Sequence, residues 1–324
     1  MSERILVTGA AGFIGGHTCS ALLDRGHEVV GIDNFDPFYE RSIKEECLSQ
    51  LTSRRGFSFL EGDIRNEQDV RRVLKGVDAV IHLAARAGVR PSIEDPALYA
   101  SVNLEGTVRL LEGCRQANVR RFVFGSSSSV YGDSTEVPFS EDALALTPIS
   151  PYAATKRGGE LLCQVYTHLY GLRIAALRFF TVYGHRQRPD LAIHKFTRLL
   201  VAGSTIQQYG DGSTERDYTH VDDILKGVLA AVEWTESTEP ALEIINLGES
   251  DTVRLDRLIQ LIASALGVDP EIEQLPAQPG DVTRTYADIS KARRLLGYDP
   301  QVDIEDGIVD FVDWYKVTHG HKSP

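Results

Sequence analysis

The residues with the clearest chemical potential are a tyrosine and a lysine four positions apart. Tyr152 and Lys156 lie in a stretch with helical periodicity, so both side chains project from one face of the helix. An ammonium beside a phenol favours the phenolate and lowers the phenol pKa from its ordinary value of about 10. A phenolate can take the proton of an alcohol. The pair therefore predicts a general base.

A serine run lies where it could help such a base. Ser127 and Ser128 belong to four consecutive serines that end the fifth predicted strand. Open α/β sheets bind ligands at the carboxyl ends of their strands, so a serine hydroxyl there could orient the alcohol that loses its proton.

A glycine-rich turn follows the first predicted strand and opens the first helix, in the run Thr8-Gly9-Ala10-Ala11-Gly12-Phe13-Ile14-Gly15. Gly9 allows a tight turn, Gly12 lets the backbone approach a pyrophosphate, and Gly15 lets helix and strand pack closely. The helix N-terminus offers unpaired N–H groups to the phosphates. This position between strand and helix predicts a dinucleotide site.

An acidic residue ends the second predicted strand. Asp33 comes 24 residues after Gly9. A carboxylate there accepts hydrogen bonds from both ribose hydroxyls and repels a 2′-phosphate, which selects NAD over NADP. Asp33 could instead cap a turn before Asn34.

Two further strand ends are candidates for cofactor contacts. Asp63 and Ile64, after the third strand, fit a contact with the adenine edge and equally fit a simple turn. Leu83, Ala84 and Ala85 end the fourth strand with small side chains. They would allow close approach of a cofactor, or plain packing.

The elements that must position these groups alternate between strand and helix. Strands are predicted at Ile5–Thr8, Glu28–Asp33, Phe57–Glu61, Ala79–Ala84, Arg121–Ser126 and Arg173–Phe179. Helices are predicted at Phe13–Arg25, Glu67–Leu74, Asn103–Gln116 and Tyr152–Tyr170. Several strands are apolar on both faces, as in a covered sheet. The pattern predicts an α/β fold with a Rossmann-type, doubly wound parallel sheet.

The chain after residue 181 is different in character. Polar turns separate helical stretches at Leu191–Ala202, Asp222–Glu233, Leu255–Leu266 and Ile304–Tyr315, with extended pieces near Thr205–Tyr209 and Glu243–Leu247. We expect an NAD-binding domain over residues 1–181 and a smaller mixed α/β lobe over residues 182–324. Some chain should cross between them.

Composition excludes several classes of protein. The 324 residues are 42% hydrophobic and 25% charged, as in ordinary globular proteins, and 34 Lys and Arg against 46 Asp and Glu give a formal charge of −12. An acidic chain repels a phosphate backbone, so nucleic acid is not expected as a partner. No run of apolar residues is long enough to span a membrane, and the N-terminal apolar run is too short for a signal peptide. We expect a cytoplasmic protein without membrane partners.

The cysteines give no sign of a metal or redox site. Cys19, Cys47, Cys114 and Cys163 form no C-x-x-C pair. Zinc ribbons and dithiol motifs are therefore not supported, and no metal is expected. Four buried, reduced thiols are the expected state.

Together these motifs resemble the extended short-chain dehydrogenase/reductase family, in its nucleotide-sugar epimerase and dehydratase group. The matching segments are T-G-A-A-G-F-I-G, I-D-N at Asp33, H-L-A-A at Leu83, S-S-S-S-V-Y-G ending at Gly132, Y-A-A-T-K at Tyr152, R-F-F-T-V-Y-G at Phe179, R-D-Y-T-H-V-D-D at Arg216 and P-G-D-V at Gly280. The resemblance covers most of the chain. It implies a tightly held NAD that is regenerated in each cycle.

The resemblance also implies a chemistry. Ser127 would hold the substrate hydroxyl, Tyr152 would be the base, and Lys156 would bind the nicotinamide ribose and lower the Tyr152 pKa. Related dehydratases carry an Asp-Glu pair where this chain has Ser128 and Ser129, and related decarboxylases have Glu at the second position. All oxidise sugar carbon 4 to a ketone. Without the added acid and base, that ketone can only turn over and take the hydride back, so we expect 4-epimerisation.

The segment F-F-T-V-Y-G-H-R-Q-R-P-D, with A-G-V-R ending at Arg90 and D-N-F-D-P-F-Y ending at Tyr39, resembles the UDP-glucuronate 4-epimerases in particular. This resemblance implies that Arg188 contacts the sugar carboxylate, which suits a bidentate guanidinium, with Thr181 assisting. Further substrate contacts that it implies are Arg90, Lys195 and Arg216, the last of them at the UDP phosphates.

Alternatives remain open at this point. Arg186 and Arg188 could be solvated surface charges, and the pattern does not fix the roles of Arg86, where many relatives carry Gln, or of Gln278. The enzyme could act on neutral UDP-hexoses or decarboxylate UDP-glucuronate. A non-catalytic NAD-binding sensor on the same fold is a different class, but such proteins commonly lose Tyr152 or Lys156.

The resemblance further implies a homodimer built on two helices of each subunit, Asn103–Gln116 and Tyr152–Tyr170. Apolar positions on these helices are Leu110, Leu111, Leu161, Leu162 and Val165. The same residues could equally serve the core of the monomer.

Overall fold

A single parallel sheet of seven strands organises the molecule. The computed structural model describes residues 2–133, 136–143, 146–237, 239–276 and 282–320. The strand order is β3-β2-β1-β4-β5-β6-β11, and all neighbouring pairs are parallel. Its strands are β1 (Arg4–Thr8), β2 (Glu28–Asp33), β3 (Phe57–Glu61), β4 (Ala79–His82), β5 (Arg121–Ser127), β6 (Arg173–Phe179) and β11 (Leu242–Leu247). The Rossmann-type fold predicted from the sequence is confirmed.

Helices cover both faces of this sheet. Side chains alternate along each strand, so Ile5 and Val7 join one apolar cluster while Leu6 joins the cluster on the other face. The helices of the described chain are α1 (Phe13–Asp24), α2 (Arg41–Thr52), α3 (Glu67–Val73), α4 (Val89–Glu94), α5 (Pro96–Ala100), α6 (Gly106–Ala117), α7 (Pro151–Tyr170), α8 (Ala192–Val201), α9 (Val221–Ser237), α10 (Leu255–Leu266), α11 (Ser290–Leu296) and α12 (Ile304–His319). A single π-helical turn, Ser101–Glu105, joins α5 to α6.

The smaller lobe has its own apolar core, to which Ile193, Leu258 and Phe311 of α8, α10 and α12 contribute. Short strand pairs border it, formed by β7 (Thr181–Tyr183) with β10 (Tyr218–His220), β9 (Glu215–Arg216) with β12 (Val253–Arg254), and β8 (Ile206–Tyr209) with β13 (Ile272–Leu275). The lobe lies at the carboxyl end of the sheet, because β7 begins two residues after β6 ends.

Chain beyond residue 181 returns to the large sheet. The sequence places the extended piece near residues 243–247 in the smaller lobe, but it forms β11, the seventh strand, paired in register with β6. Helix α9 packs on β5 and β6, and α11 packs on α9 and β11. The strand and its two helices are thus the chain that crosses between the lobes. The division at residue 181 describes the small lobe only in part.

Local differences from the predicted elements have identifiable causes. Strand β4 ends at His82 rather than Ala84, and α2 was not predicted because its apolar positions are few among charged residues. The predicted helix 103–116 begins earlier, since Asp95 caps α5 by accepting from Leu98 N at 3.1 Å and Pro96 starts it.

The expectations about cysteines, membrane helices and metal ligands can be compared with the described part of the chain. All four cysteines are buried and free. In the described chain no helix is long and apolar enough to cross a membrane. No group of three or more potential ligands among the described His, Cys, Asp and Glu residues could hold a metal ion. Gln278 and Gly280 lie outside the described residues.

Candidate active site

A cavity of about 450 Å³ opens at the carboxyl ends of β1, β2, β4 and β5. This is the sheet edge at which the sequence places the reactive groups. The predicted residues that line the cavity are Gly9, Gly12, Phe13, Ile14, Gly15, Asp33, Asn34, Ile64, Leu83, Ala84, Ala85, Ser127, Ser128, Tyr152, Lys156, Thr181 and Arg188.

The glycine turn has the geometry that a dinucleotide site needs. Gly9 adopts a φ of +73°, which side chains disfavour. A Cβ at Gly15 would lie 2.0 Å from the Gly9 carbonyl oxygen, so only glycine lets α1 approach this close to the turn. The result is a concave backbone surface at the N-terminus of α1, which begins at Phe13.

Asp33 closes the adjacent wall of the cavity. Its carboxylate accepts from the backbone N–H of Ala11 at 3.2 Å and of Phe35 at 2.9 Å. Burial raises its pKa, while the Lys44 charge and these two hydrogen bonds oppose the rise. Asp33 therefore caps the turn and also faces the cavity, so the two interpretations of the sequence are compatible. An oxygen held this way suits ribose hydroxyls.

Asp63 is placed differently from the other predicted cofactor contacts. Its neighbour Ile64 lines the cavity, but Asp63 does not. The Asp63 carboxylate pairs with Arg65 at 2.6 Å and accepts from Asn34 Nδ2 at 3.0 Å, and the hydrogen bond to Arg65 chiefly lowers its pKa to about 2. The structure thus favours the turn for the side chain of Asp63.

Tyr152 and Ser127 meet inside the cavity. Ser150 caps α7 by accepting from Ala153 N at 3.1 Å, and Pro151 occupies the first turn, so Tyr152 leaves the helix at its very beginning. The phenol oxygen of Tyr152 is hydrogen-bonded to Ser127 at the end of β5. An alcohol that enters here meets two hydroxyl groups that already share a hydrogen bond.

Within the protein alone, the Tyr152 pKa is raised rather than lowered. Burial raises it above the ordinary value, and the Ser127 hydrogen bond and the positive charge of Arg188 act against that rise. The predicted lowering by Lys156 is not found, because its Nζ donates to the Gly125 carbonyl at 2.7 Å and lies 6.0 Å from the Tyr152 ring centre. The loss of solvation therefore raises the Tyr152 pKa by more than the Ser127 hydrogen bond and the Arg188 charge lower it.

Lys156 is a buried cation on the same helix face as Tyr152. Burial lowers its pKa to about 8, and the carboxylate of Glu160 opposes that change. At neutral pH the ammonium is still the main form. The buried Glu160 follows one helical turn later and is held by Arg178 at 2.8 and 2.9 Å and by Ser126 at 2.7 Å.

This network beneath the site was missed in the sequence. Glu160 continues the i, i+4 spacing of Tyr152 and Lys156. Arg178 follows four apolar residues in a buried strand, where its charge needs a buried partner. Both features were signals of a pair. Its consequence is a carboxylate near enough to Lys156 for its charge to oppose the fall in the Lys156 pKa.

Arg188 belongs to the wall that faces Tyr152. Its Nε and Nη2 donate to Asp190 at 3.0 and 2.8 Å, its guanidinium lies 5.2 Å from the Phe38 ring centre, and the side chain is 19% exposed. Arg188 is therefore not a solvated surface charge. Arg186 instead donates to His17 Nδ1 at 3.0 Å.

A second cavity of about 230 Å³ lies beside the first. Asp190 lines it while its partner Arg188 lines the first cavity, so the two are neighbours. The predicted nucleotide contacts Arg90, Lys195 and Arg216 all line this second cavity. The Arg90 guanidinium lies 5.3 Å from the Tyr209 ring centre. The structure thus groups the predicted substrate cations around two adjoining spaces.

Asp217 was not singled out in the sequence, although it is hydrogen-bonded to Thr181 of the first cavity and follows Arg216 of the second. Its carboxylate accepts from the backbone N–H groups of Glu249 at 2.8 Å and of Ala287 at 3.1 Å, and its carbonyl accepts from Thr181 N at 3.0 Å. Burial raises its pKa to about 6, and these hydrogen bonds limit the rise. Asp217 thereby fixes the position of Thr181 and of the adjacent Arg216.

Comparison with known proteins relates this chain to NAD-dependent epimerases. The family model described as "NAD dependent epimerase/dehydratase family" matches residues 5–248. Among curated proteins, the chain is 42% identical to the UDP-glucuronate 4-epimerase of Thermodesulfobacterium geofontis over 315 residues, which cover 96% of this chain and 95% of that one.

Solved structures agree in fold over nearly the whole chain. The UDP-glucuronic acid 4-epimerase of Bacillus cereus, crystallised with UDP-glucuronic acid and NAD, superposes with a TM-score of 0.92 at 39% identity, covering 97% of this chain and 99% of that one. The UDP-glucose 4-epimerase of Thermotoga maritima, solved with UDP-glucose, gives a TM-score of 0.88 at 32% identity, with 97% and 99% covered.

Proposed function

We propose, from the premise that the chain belongs to the NAD dependent epimerase/dehydratase family, that it interconverts UDP-glucuronate and UDP-galacturonate by inverting carbon 4. The observation that carries the proposal is the position of Arg188. Its guanidinium shares one cavity with the Tyr152 phenol and its charge acts on that phenol. A site for a neutral sugar has no need of a guanidinium there, whereas a uronate carboxylate does.

The cofactor of the family is NAD, and the residues present fit it. The glycine turn at Gly9 to Gly15 would receive the pyrophosphate, Asp33 the adenosine ribose, and Lys156 the nicotinamide ribose. When bound, NAD supplies a hydride acceptor and a positive charge next to the sugar. The carboxylate of Asp33 is consistent with NAD rather than its 2′-phosphorylated form.

The proton chemistry is assigned to Tyr152. The sugar 4-hydroxyl would be held between Ser127 and Tyr152, which already share a hydrogen bond, and its proton would pass to the Tyr152 oxygen. Since burial by itself raises the pKa of Tyr152, the phenolate depends on nearby positive charge, of which Arg188 is the part that this chain provides. The same oxygen returns the proton when the ketone is reduced.

The next step of the 4-keto sugar depends on which acids and bases surround it. Ser128 and Ser129 line the cavity where an acid and a base would stand for water loss or decarboxylation. Hydroxyl groups of this kind do not titrate in the working range and cannot serve as the acid or the base that would promote those steps. The remaining course is rotation of the sugar and reduction from its other face, which inverts carbon 4.

A uronate adds a hazard that the site must control. The 4-keto uronate is a β-keto acid, and it loses carbon dioxide quickly when the bond to the carboxylate stands perpendicular to the ketone plane. Arg188 and Thr181 line the same cavity and would hold the carboxylate near that plane. The UDP group would occupy the second cavity, with its phosphates at Arg216 and the nucleotide near Arg90 and Lys195.

One assay tests the proposal. The purified protein is incubated with UDP-glucuronate, and the products are separated by chromatography and identified by mass and by comparison with authentic UDP-galacturonate. We expect UDP-galacturonate to form without UDP-pentose. Faster turnover of UDP-glucose to UDP-galactose would replace the proposal by a neutral-sugar epimerase, and UDP-pentose as the main product would replace it by a decarboxylase.

We also propose a homodimer that pairs α7 with the same helix of a second copy. Leu161, Val165 and Leu169 leave 48%, 46% and 59% of their surface exposed on this helix. Leu110 and Leu111, in contrast, are fully buried in the core of the subunit and are not available for an interface. Leu162 also packs partly against that core.

The proposed dimer can be tested by introducing charged residues on the exposed apolar face of α7. Replacing Leu161 and Val165 together by Glu should convert the dimer into a monomer, because like charges would be buried opposite each other. Sedimentation or light scattering gives the mass. The control is Val317→Glu, on an exposed residue of α12, which should leave the mass unchanged. A wild-type protein that sediments as a monomer at micromolar concentration contradicts the proposal.

A further inference from the structure

Arg86 is held at the rim of the active-site cavity by its backbone. Its N–H donates to Asn103 Oδ1 at 2.8 Å, and Asn103 Nδ2 donates back to the Arg86 carbonyl at 3.0 Å and to Thr155 Oγ1 at 3.0 Å. Thr155 lies on α7 between Tyr152 and Lys156. The position of Arg86 is thus tied to the helix that carries the catalytic pair.

The side chain of Arg86 shares an aromatic neighbour with Arg188. The Arg86 guanidinium carbon lies 5.0 Å from the Phe38 ring centre and 5.7 Å from the Tyr99 ring centre, and that of Arg188 lies 5.2 Å from the Phe38 ring centre. All three of Phe38, Arg86 and Arg188 line the cavity. Phe38 is therefore a common platform for two guanidinium groups, an arrangement that cation–π attraction stabilises.

Both arginines lie close enough to the buried Tyr99 for their charges to act on it. Burial raises the pKa of Tyr99, and the charges of Arg86 and Arg188 both oppose that rise. The Tyr99 ring is 6.3 Å from the Tyr152 ring, centre to centre. The two guanidiniums therefore both act on Tyr99, whose ring is a neighbour of the proposed base.

Arg86 also has hydrogen-bonding capacity left over. Its Nη1 contacts Asp36, which accounts for one of the five N–H donors of a guanidinium. Its Nε is buried and has no hydrogen-bond partner in the described structure, and the side chain is only 16% exposed. A buried donor without a partner is costly and indicates a group that a ligand completes.

We propose that Arg86 is a second specificity-determining residue for the acidic sugar, forming with Arg188 a two-guanidinium pocket for the carboxylate on the Phe38 ring. This inference rests on the proposed function. The UDP phosphates are a less suitable partner for Arg86, because the second cavity, where we place UDP, has its own cations, among them Arg90 and Arg216. Arg86 instead shares the first cavity with Tyr152.

The test compares an acidic and a neutral ligand on the holoenzyme. Arg86→Gln should raise the KM for UDP-glucuronate about tenfold, the usual scale for one charge-assisted hydrogen bond, with little change in kcat. The inhibition constant of UDP-glucose should stay within about twofold, since this ligand has no carboxylate. Arg86→Lys keeps the charge and should recover part of the loss.

A matched control is available in the same part of the chain. Arg41 also lies over an aromatic ring, Phe35, at 4.1 Å and pairs with Glu61 at 2.8 Å, but it is exposed and does not line the cavity. Arg41→Gln should leave both constants unchanged. Equal weakening of both ligands by Arg86→Gln, no change in either, or loss of bound NAD would each overturn the proposal; the last would make Arg86 a cofactor contact.

Failure of the proposed function gives a different pattern. If the wild-type protein does not epimerise UDP-glucuronate, the affinities of UDP-glucuronate and UDP-glucose are measured directly by calorimetry. A selective loss of UDP-glucuronate binding in Arg86→Gln then still supports the carboxylate pocket. A wild-type protein that prefers UDP-glucose by calorimetry overturns it.

Discussion

Replacing Tyr152 with phenylalanine should lower kcat about 10³-fold or more while NAD stays bound. The substitution removes only the oxygen that shares a hydrogen bond with Ser127, so the ring keeps its edge contact with Tyr99 at 6.3 Å. General acid–base catalysis is worth about 10² to 10⁴ in rate, and here the same oxygen acts in both directions of the hydride transfer. Initial rates with UDP-glucuronate measure the loss, and the absorbance and mass of released cofactor measure NAD.

The control for this variant lies on the same helix. Tyr166 places its hydroxyl 3.4 Å from Glu112, away from the cavity, so Tyr166→Phe should keep the wild-type rate. Retained turnover in Tyr152→Phe would reject Tyr152 as the base. Loss of NAD together with activity would mean that the phenol acts in cofactor binding, and the rate alone could then not be assigned to proton transfer.

Replacing Arg188 with alanine should raise the KM for UDP-glucuronate about 100-fold and release UDP-pentose. The Arg188 guanidinium lines the cavity and is a suitable partner for a carboxylate. Truncating one member of a desolvated charged pair typically costs about 2–5 kcal/mol of binding free energy. The pentose follows because a carboxylate that is no longer held can turn perpendicular to the ketone plane. Product masses and initial rates provide both measurements.

Two further variants show whether the effect of Arg188→Ala comes from losing this particular guanidinium. Arg257 pairs with Glu305 at 3.1 Å on the surface, and Arg257→Ala should leave both measurements unchanged, since exposed pairs contribute little. Arg188→Lys keeps the charge but not the fork, and should show an intermediate KM. Unaltered kinetics in Arg188→Ala and an absence of UDP-pentose would remove Arg188 from the reaction.

The two variants separate binding from chemistry. Tyr152 should affect kcat, because its oxygen works on the reacting hydroxyl. Arg188 should affect KM and the nature of the product, because its partner is a group two bonds from carbon 4. Its charge also opposes the rise in the Tyr152 pKa, so a modest fall in kcat is expected in Arg188→Ala as well.

Much of the fold could be predicted from the chain because its signals are local. The glycine turn depends on Gly9, which has a positive φ, and on Gly15, where any Cβ would clash with the Gly9 carbonyl oxygen. The six N-terminal strands are short apolar runs with helices between them. Ligands gather where parallel strands end, so Ser127 and Asp33 could be assigned to one edge before their distance was known.

Other features depended on partners distant in sequence. Strand β11 could be predicted as extended, but its place beside β6 is decided by α9, which crosses back over the sheet. Leu110 and Leu161 are both apolar helix positions, and only packing separates the fully buried residue from the exposed one. Asp63 fits both a turn and an adenine contact in the sequence, and only the folded chain shows that Arg65 pairs with its carboxylate.

The sequence by itself determined which reactive groups are present and at which sheet edge they should meet, since the types and spacing of a tyrosine, a lysine, a serine and three glycines predict a base, a cofactor turn and that edge. The tertiary structure decided the environment of those groups. It places Arg86 and Arg188 on one phenylalanine ring, brings Glu160 near Lys156, and raises the Tyr152 pKa through burial. The physical reason is that residue identity is carried by the chain, whereas solvation and Coulomb energy depend on which distant segments fold around each residue.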